Sequence, residues 1–460
     1  MSKLALLIAA AFFMENLDGS IIATALPAIG VSFATSAVDL HVGISAYLLT
    51  VAVFILPGGW AAERFGGRRV FTGAMALFLA GSALCGLSAN VDQFVASRVL
   101  QGVGGAMMVP VGRLVVLREA PKHQLMRSIA ILTWPGLTAP LLGPPLGGFI
   151  AQHAAWPWIF FINLPIGLVG LVLAWLWVPE GERQRGRRFD LMGFASGAVW
   201  LFCLMLALDR LGGRGADAVQ VLALLAMSAA AGFVFVRHVR RAELPLVNVS
   251  VFRVDNFRRI MLGGTAMRIM ISTMPFLLPL MFQLGFGLDA THAGLLLLTL
   301  FAGNLGIKPA TSGLLRRFGF RPILLANGAL QAGCMLVCAL FTPETPYWAM
   351  VPVLVLAGAS RSLQYTATTT LAYADVSQAE MGSANTLFSV SQQLAVGLGV
   401  AVAAVALQGA ARVMGHDAPG LAAFHLSFVL MALLMAASTL DALLLARGAG
   451  DAVTRRASAS

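Results

Sequence analysis

The chain is predicted to be an all-α polytopic membrane protein made of two related helical halves, and three observations carry that prediction. It is 58% hydrophobic and only 11% charged over 460 residues, where a soluble domain covers its surface with about a quarter charged residues. Apolar runs long enough to cross a bilayer recur from one end to the other. A short basic turn, Gly59-Trp-Ala-Ala-Glu63-Arg64-Phe-Gly66-Gly-Arg68-Arg69, has an echo 253 residues later in Ser312-Gly-Leu-Leu-Arg316-Arg317-Phe-Gly319-Phe-Arg321. Both copies sit between long apolar segments, which marks an internal repeat at the scale of half the chain.

A bilayer core about 30 Å thick needs about 20 apolar residues per helix. On that rule fourteen spans are expected, centred near residues 16, 51, 80, 106, 140, 168, 200, 227, 272, 302, 332, 360, 395 and 433. The first could be confused with a secretory signal, since Lys3 precedes an apolar run and Ala23-Thr-Ala25 imitates a cleavage site. Glu15, Asn16 and Asp18 follow that run and do not suit a cleaved segment, so residues 4–29 read as the first span. The loops set the orientation. With the N-terminus inside, 23 of the 31 basic residues fall in cytoplasmic segments, and only Arg210, Arg214 and Arg412 in outer loops. That bias predicts an N-in, C-in topology. The basic stretch Pro179–Asp190 and the long polar loop Arg237–Arg259 look like joints. The expected organisation is a six-helix bundle over residues 1–180 and a linker with two inserted helices over 181–240. A second six-helix bundle over 241–447 and a disordered cytoplasmic tail over 448–460 would complete it.

The net charge of +11 does not indicate nucleic-acid binding, because the basic residues lie in short loops and not along one face. Cys85, Cys203, Cys334 and Cys338 all lie inside apolar runs without His or acidic companions, so they read as small buried residues. No disulfide framework or metal site is expected. The HExxH, GxSxG, Walker A and strand-linked GxGxxG signatures are absent, so no catalytic residue, nucleotide or cofactor is expected.

The chemistry lies in ionisable residues within the spans, where charge is costly and usually functional. Glu15 and Asp18 are three residues apart and share a helix face. They lie roughly 17–21 Å from Leu4 along the helix axis, near mid-membrane. Carboxylates withdrawn from water there are candidates for carrying protons, the alternative being fixed charges paired to an arginine. Arg98 opens Arg98-Val-Leu-Gln101-Gly102-Val-Gly104-Gly105-Ala106, whose glycines let another helix come close. Arg98 would hold such a carboxylate ionised, or merely tie two helices together. The fifth span, from Trp134 to Gly148, carries four prolines, which predicts a kinked helix serving packing and gating. Arg113, Arg268, Lys308 and Arg361 complete the basic residues within spans. Arg268, Arg361, Lys308 and Gln364 are candidates to line a substrate cavity, with snorkelling to the membrane surface the alternative for Lys308.

Taken in order, these motifs resemble the major facilitator superfamily, and within it the fourteen-span drug:proton antiporters of the EmrB/QacA type. Leu17-Asp18-Gly-Ser-Ile-Ile-Ala-Thr-Ala-Leu-Pro27 is similar to LDxTIVxxALP, and Gly59–Arg69 to GxxADRxGRR with Glu63 in the aspartate position. Arg98–Ala106 resembles RxxQGxGxA, and Gly143–Gly148 resembles GPxxGG. Trp156–Gly167 resembles WRWIFxINxPIG, with Pro157 in place of arginine. The resemblance implies the major facilitator fold, two six-helix bundles plus two inserted helices. It implies proton coupling through Asp18 and Arg98, to which the position of Glu15 within the span adds a second candidate carboxylate. Gly59, Glu63, Arg64, Gly66 and Arg68 would form a cytoplasmic clasp. Gly143, Pro144, Gly147 and Gly148 would form the bundle interface of exporters. The second-half echo has Arg316 in the acidic position, so it is not expected to clasp.

The expected function is export of small molecules across the bacterial inner membrane, driven by the proton gradient, with multidrug efflux implied by the resemblance. Protons, a small-molecule substrate and membrane lipid are the expected partners. Relatives of this branch sometimes use a periplasmic adaptor, but nothing here encodes one. The competing reading is an exporter of an organic anion or metabolite, because two carboxylates within spans face five basic residues. Uptake, or a sensor or channel without coupled transport, are weaker alternatives.

Overall fold

The structure, a computed structural model, describes residues 2–35, 40–181, 186, 188–212, 217–415, 419–446 and 448–454. The first half consists of α1 (Ser2–Phe33), α2 (His41–Phe54), α3 (Leu56–Phe65), α4 (Gly67–Leu87), α5 (Val91–Glu119), α6 (Lys122–His153), α7 (Trp158–Phe161) and α8 (Asn163–Trp177). Next come α9 (Leu191–Gly212) and α10 (Ala218–Arg241). The second half holds α11 (Asp255–Leu280), α12 (Ala290–Gly306), α13 (Lys308–Phe318), α14 (Phe320–Cys338), α15 (Tyr347–Ala374), α16 (Met381–Val413), α17 (Leu421–Leu440) and the terminal α18 (Asp451–Thr454). A π-helical turn, Met281–Gly285, extends α11. No strand occurs among the described residues.

Among the described residues, ten helices are long and apolar enough to cross a membrane, or twelve when the bent pairs α2–α3 (54°) and α12–α13 (50°) each count as one span. The chain is thus a multi-pass membrane protein. The difference from fourteen falls on α6 and α15, which at 32 and 28 residues have the length. Arg361, Gln364 and Thr366–Thr370 dilute the apolarity of α15. Despite its prolines, α6 runs as one helix from Lys122 to His153.

The repeat seen in sequence is also present in the packing. In the first half α1 lies on α6, α4 and α2 both on α5, and α4 on α8. In the second half α11 lies on α16, α14 and α12 both on α15, and α14 on α17. Gly66 (φ 89°) and Gly319 (φ 78°) occupy equivalent breaks, α3 to α4 and α13 to α14. Each is the single residue between its helices and donates its N–H to the carbonyl of Ala62 or Leu315. Left-handed backbone suits glycine, which has no Cβ to clash. The expected basic loops are therefore one-residue hinges, with the arginines on the flanking helices.

Helices α9 and α10 pack on each other, and α9 rests on α2 and α16. Only 33% and 17% of their apolar windows are buried, so both are peripheral and present apolar side chains to lipid.

One large core cluster joins both halves at the end that carries Gly66 and Gly319. It includes Ile8, Phe71 and Leu114 of the first half with Leu315, Leu371 and Phe388 of the second. At the opposite end the cores separate, one holding only first-half residues such as Ile22 and Phe160, the other only second-half residues such as Phe282 and Phe428. The halves are thus closed together at the basic end. Contrary to the expectation of a disordered tail from residue 448, Ala449 and Val453 are buried in the joint core. Gly450 (φ 81°) packs between Phe320 and Leu371. Burial of these small apolar side chains offsets the cost of ordering the segment. Residues 455–460 lie outside the described residues.

Candidate functional site: a buried ion pair beside a basic cavity

Asp18 on α1 is 1% exposed and Arg98 on α5 is 0% exposed. Arg98 Nη1 donates to Asp18 Oδ2 at 2.6 Å. The other carboxylate oxygen accepts from Gln101 Nε2 at 2.8 Å and Asn163 Nδ2 at 3.0 Å. Arg98 Nη1 also donates to Gln101 Oε1 at 2.6 Å. Asn163 donates to Ser82 Oγ at 3.0 Å, and Ser82 to the carbonyl of Phe160 at 2.9 Å. One buried network therefore links α1, α4, α5 and the α7–α8 region. The guanidinium also lies 4.3 Å from the ring centroid of Tyr47, a cation–π contact that stabilises buried charge. Arg98 Nε and Nη2 have no hydrogen-bond partner among the described residues. The glycines after Arg98 act as expected: a Cβ at Gly102 would lie 3.0 Å from the carbonyl oxygen of Tyr47, and one at Gly104 would meet the backbone of α4.

Glu15 lies one turn before Asp18 on α1, and Tyr47 adjoins both it and the Asp18–Arg98 pair. It lines a cavity of about 130 Å³ together with Gly105, Arg113 and Gln392. A Cβ at Gly105 would stand 2.9 Å from the Tyr47 hydroxyl and 3.3 Å from Glu15 Oε1, so this glycine makes room for both groups. Glu15 Oε2 is buried and has no hydrogen-bond partner among the described residues. The two carboxylates differ in their surroundings. Glu15 looks into a cavity, while Asp18 is sealed inside the first half and does not line that cavity.

A second cavity, about 240 Å³, lies between the halves and is lined by Asn16, Arg113, Arg268, Arg361 and Tyr365, among others. Arg268 is 3% exposed, and its Nη2 donates to Thr265 Oγ1 at 2.7 Å and Ser391 Oγ at 2.8 Å. Its guanidinium stands 4.7 Å from the Phe388 ring, and that of Arg113 stands 5.7 Å from the same ring. Arg113 Nη2 donates to Gln392 Oε1 at 3.4 Å. Arg113 Nη1, Arg268 Nε and Nη1, and Arg361 Nη1 are buried without partners among the described residues. Among the described residues no carboxylate lines this cavity, though Glu15 stands in the adjoining one.

Two cavity candidates sit elsewhere. Gln364 is fully buried behind the cavity wall: its Oε1 accepts from Asn327 at 2.8 Å and its Nε2 donates to Met267 Sδ at 3.0 Å. A residue on the α14 side of α15 cannot also face the first half. Lys308 does not snorkel to the surface. Its Nζ donates to Thr133 of α6 at 2.7 Å and Thr366 of α15 at 2.9 Å, which ties the halves together.

At the basic end, Glu63 accepts from Arg118 at 3.3 Å and packs against Gly382, at the N-terminus of α16. A carboxylate there also meets the positive end of the helix dipole. A Cβ at Gly59 would come within 2.6 Å of Thr386 Oγ1, so only glycine allows this approach. Asn385 Nδ2 donates to the Pro110 carbonyl at 2.8 Å, a further bond between halves. Gly66 supplies the hinge. Arg64 is half-buried in the last turn of α3. Arg68 departs from the expected clasp: its Nε donates to the Val178 carbonyl at 2.6 Å, past the end of α8 in its own half. In the exporter motif, Gly143 lets α6 approach Ser20 of α1, and Gly148 has nothing near its Cβ position. Gly147 is buried; the side chain of Pro144 lies outside the described residues. Gly143 therefore serves an interface within the first half, not one between bundles, because α6 packs most heavily on α1.

Gln101, Asn163, Ser82, Tyr47 and Arg113 were not singled out as site residues from sequence. The available signal was polarity inside apolar runs, but the partnerships span 80 residues or more (Asp18 to Arg98, 80; Asp18 to Asn163, 145). The four cysteines are buried and free of disulfides. No group of three or more His, Cys, Asp or Glu able to hold a metal occurs among the described residues.

The Major Facilitator Superfamily model matches residues 8–400. The chain is 38% identical over 401 residues to a Pectobacterium atrosepticum protein named "Putative multidrug resistance protein MdtD", covering 87% of this chain and 86% of that protein. It is 37% identical over 452 residues to the protein of the same name from Serratia proteamaculans, covering 98% and 94%. Among solved structures, the human organic anion transporter MFSD10 (TETRAN) is similar with TM-score 0.68 at 14% identity, over 96% of this chain and 99% of that one. The proton:xylose symporter XylE is similar with TM-score 0.66 at 16% identity, over 95% and 94%. At such identities the structural likeness speaks for the fold alone. With a family match over most of the chain, a repeated helical architecture and a cavity between the halves, the chain belongs to the major facilitator superfamily and is a secondary transporter, not an enzyme.

Proposed function

We propose that the chain is a proton-coupled exporter of small molecules that works by alternating access in the bacterial inner membrane, N-in and C-in. In this reading α6 and α15 complete fourteen spans. Residues 1–180 and 241–447 rock against each other, and the hairpin in 181–240 stays at the periphery. The observation that carries it is the sealed Asp18–Arg98 pair with Glu15 one helical turn away on a cavity wall. A proton reaching Asp18 cancels its charge and strands Arg98. Removing one partner of a buried pair costs about 3–5 kcal/mol. Swinging a two-state equilibrium from 1:99 to 99:1 takes about 5.5 kcal/mol. The two are comparable, so protonation is strong enough to bias which end is open. Glu15 would relay protons between the cavity and Asp18, and Glu63 against α16 would hold the basic end closed.

The cargo has two readings. The names of the curated relatives support multidrug efflux. The cavity itself favours an organic anion: Arg113, Arg268 and Arg361 converge there with unsatisfied N–H groups, against one carboxylate, Glu15, in the adjoining cavity that shares Arg113. Two like unit charges 4 Å apart repel by about 4 kcal/mol at the effective dielectric of a protein, which penalises a lipophilic cation. Proteoliposomes test the proposal. A substrate gradient that moves no protons removes the coupling. Export of cationic dyes by wild type and Arg268→Ala alike, with no response to organic acids, removes the anion reading.

A further inference from the structure

The halves meet along two seams at the basic end, and the inserted hairpin makes the two unequal. On one seam α3 packs on α16, and α9 lies across it, with Met205 and Leu208 clustered on Ala52 of the first half and Ala401 of the second. The other seam, where α6 meets α12, α13 and α15, is not packed by the hairpin. There a groove of about 610 Å³ runs between α1 and α6 on one side and α13 on the other, with Val453 of the terminal segment at its edge.

Its chemistry has two parts. Arg127 on α6 and Arg316 on α13 both line it with exposed side chains, and Lys308 lies one end inward, its ammonium held by the two threonines. No carboxylate lines it among the described residues. The rest of the lining is apolar, including Leu6, which remains 63% exposed. From Arg316 to Lys308 is about 12 Å along the helix, the depth from a phosphate into the first acyl carbons. Two arginines at the rim over an apolar floor match a phosphodiester with hydrocarbon attached. They match a small soluble anion poorly, since it would leave the floor wetted.

We propose that this groove binds the headgroup of an anionic phospholipid, with Arg127 and Arg316 on the phosphate and an acyl chain along Leu6 and Ile131. Basic pockets between membrane helices commonly recognise such headgroups, and arginine forms paired hydrogen bonds to phosphate. The two arginines come from opposite halves, so the lipid is held by both only while the basic end is closed. The inserted hairpin confines this contact to one side of the molecule. The inference stands whether or not transport is coupled to protons.

Native mass spectrometry of the full-length protein, released from nanodiscs of phosphatidylglycerol or phosphatidylcholine, tests it. Wild type should retain phosphatidylglycerol in preference to phosphatidylcholine. Arg127→Gln and Arg316→Gln should each weaken retention about fivefold and the double variant about twentyfold or more, with Arg253→Gln, in the turn before α11, as an unaffected control. Size-exclusion chromatography shows that the variants remain folded. Equal retention by the double variant, equal retention of phosphatidylcholine, or displacement of the lipid by millimolar glycerol phosphate would each overturn the proposal.

Discussion

Replacing Asp18 with asparagine keeps the shape of the side chain and removes its charge, and the geometry around it sets the size of the effect. One carboxylate oxygen accepts from Arg98 at 2.6 Å, the other from Gln101 and Asn163 at 2.8 and 3.0 Å. An asparagine amide has one acceptor oxygen and one NH₂ group, so whichever way it turns, its NH₂ faces another donor. Oriented for Gln101 and Asn163, it confronts Arg98; oriented for Arg98, it leaves two amide donors unbonded. Arg98 is then a buried cation without a counter-charge, a defect of about 3–5 kcal/mol. Denaturant unfolding in micelles should register a destabilisation of that order. Proton-driven transport in proteoliposomes should fall at least tenfold. Changing Arg98 to methionine as well should recover much of the lost stability, because an apolar replacement of the whole pair removes the stranded charge, while transport stays impaired. The reasoning fails if Asp18→Asn is within about 1 kcal/mol of wild type and still transports with the proton gradient.

Three further outcomes follow from the packing. A Cβ at Gly143 would meet Ser20, whereas Gly148 has nothing within reach; Gly143→Val should cost about 1–3 kcal/mol of stability by overpacking and Gly148→Ala almost none, a contrast visible in paired denaturation curves. Gly59→Val intrudes on Thr386 and Gly382, so a cysteine placed at buried Ala384 should react severalfold faster with a water-soluble maleimide than in the Gly59 background. Arg268→Ala removes unsatisfied N–H donors from the cavity and should weaken binding of an organic carboxylate by about 1.5–3 kcal/mol, the worth of a hydrogen bond to a charged group, measured by calorimetry; unchanged affinity would exclude Arg268 from the binding site.

Much of the architecture could be read from local pattern. Apolar length located the helices, and the recurrence of Gly66 at Gly319 located the repeat, because a left-handed hinge between two helices requires a residue without a side chain. The charged residues within spans stood out for the same reason: a local run of hydrocarbon-like sequence makes any ionisable group conspicuous. What failed was direction. Arg68 and Gly143 were assigned to contacts between bundles but serve their own half, and Gln364 was assigned to the cavity but turns toward α14.

Apolar periodicity and the cost of charge in hydrocarbon, both properties of short windows, determined that this is a two-fold repeated membrane protein with Asp18, Glu15 and Arg98 in its interior. Only the tertiary structure decided that Asp18 pairs with Arg98 while Glu15 and three arginines border cavities, and that the halves close at the basic end. Those outcomes depend on the rotation of each helix about its own axis and on partners 80 or more residues apart, which are fixed when side chains interlock across helices and leave no mark in any single segment.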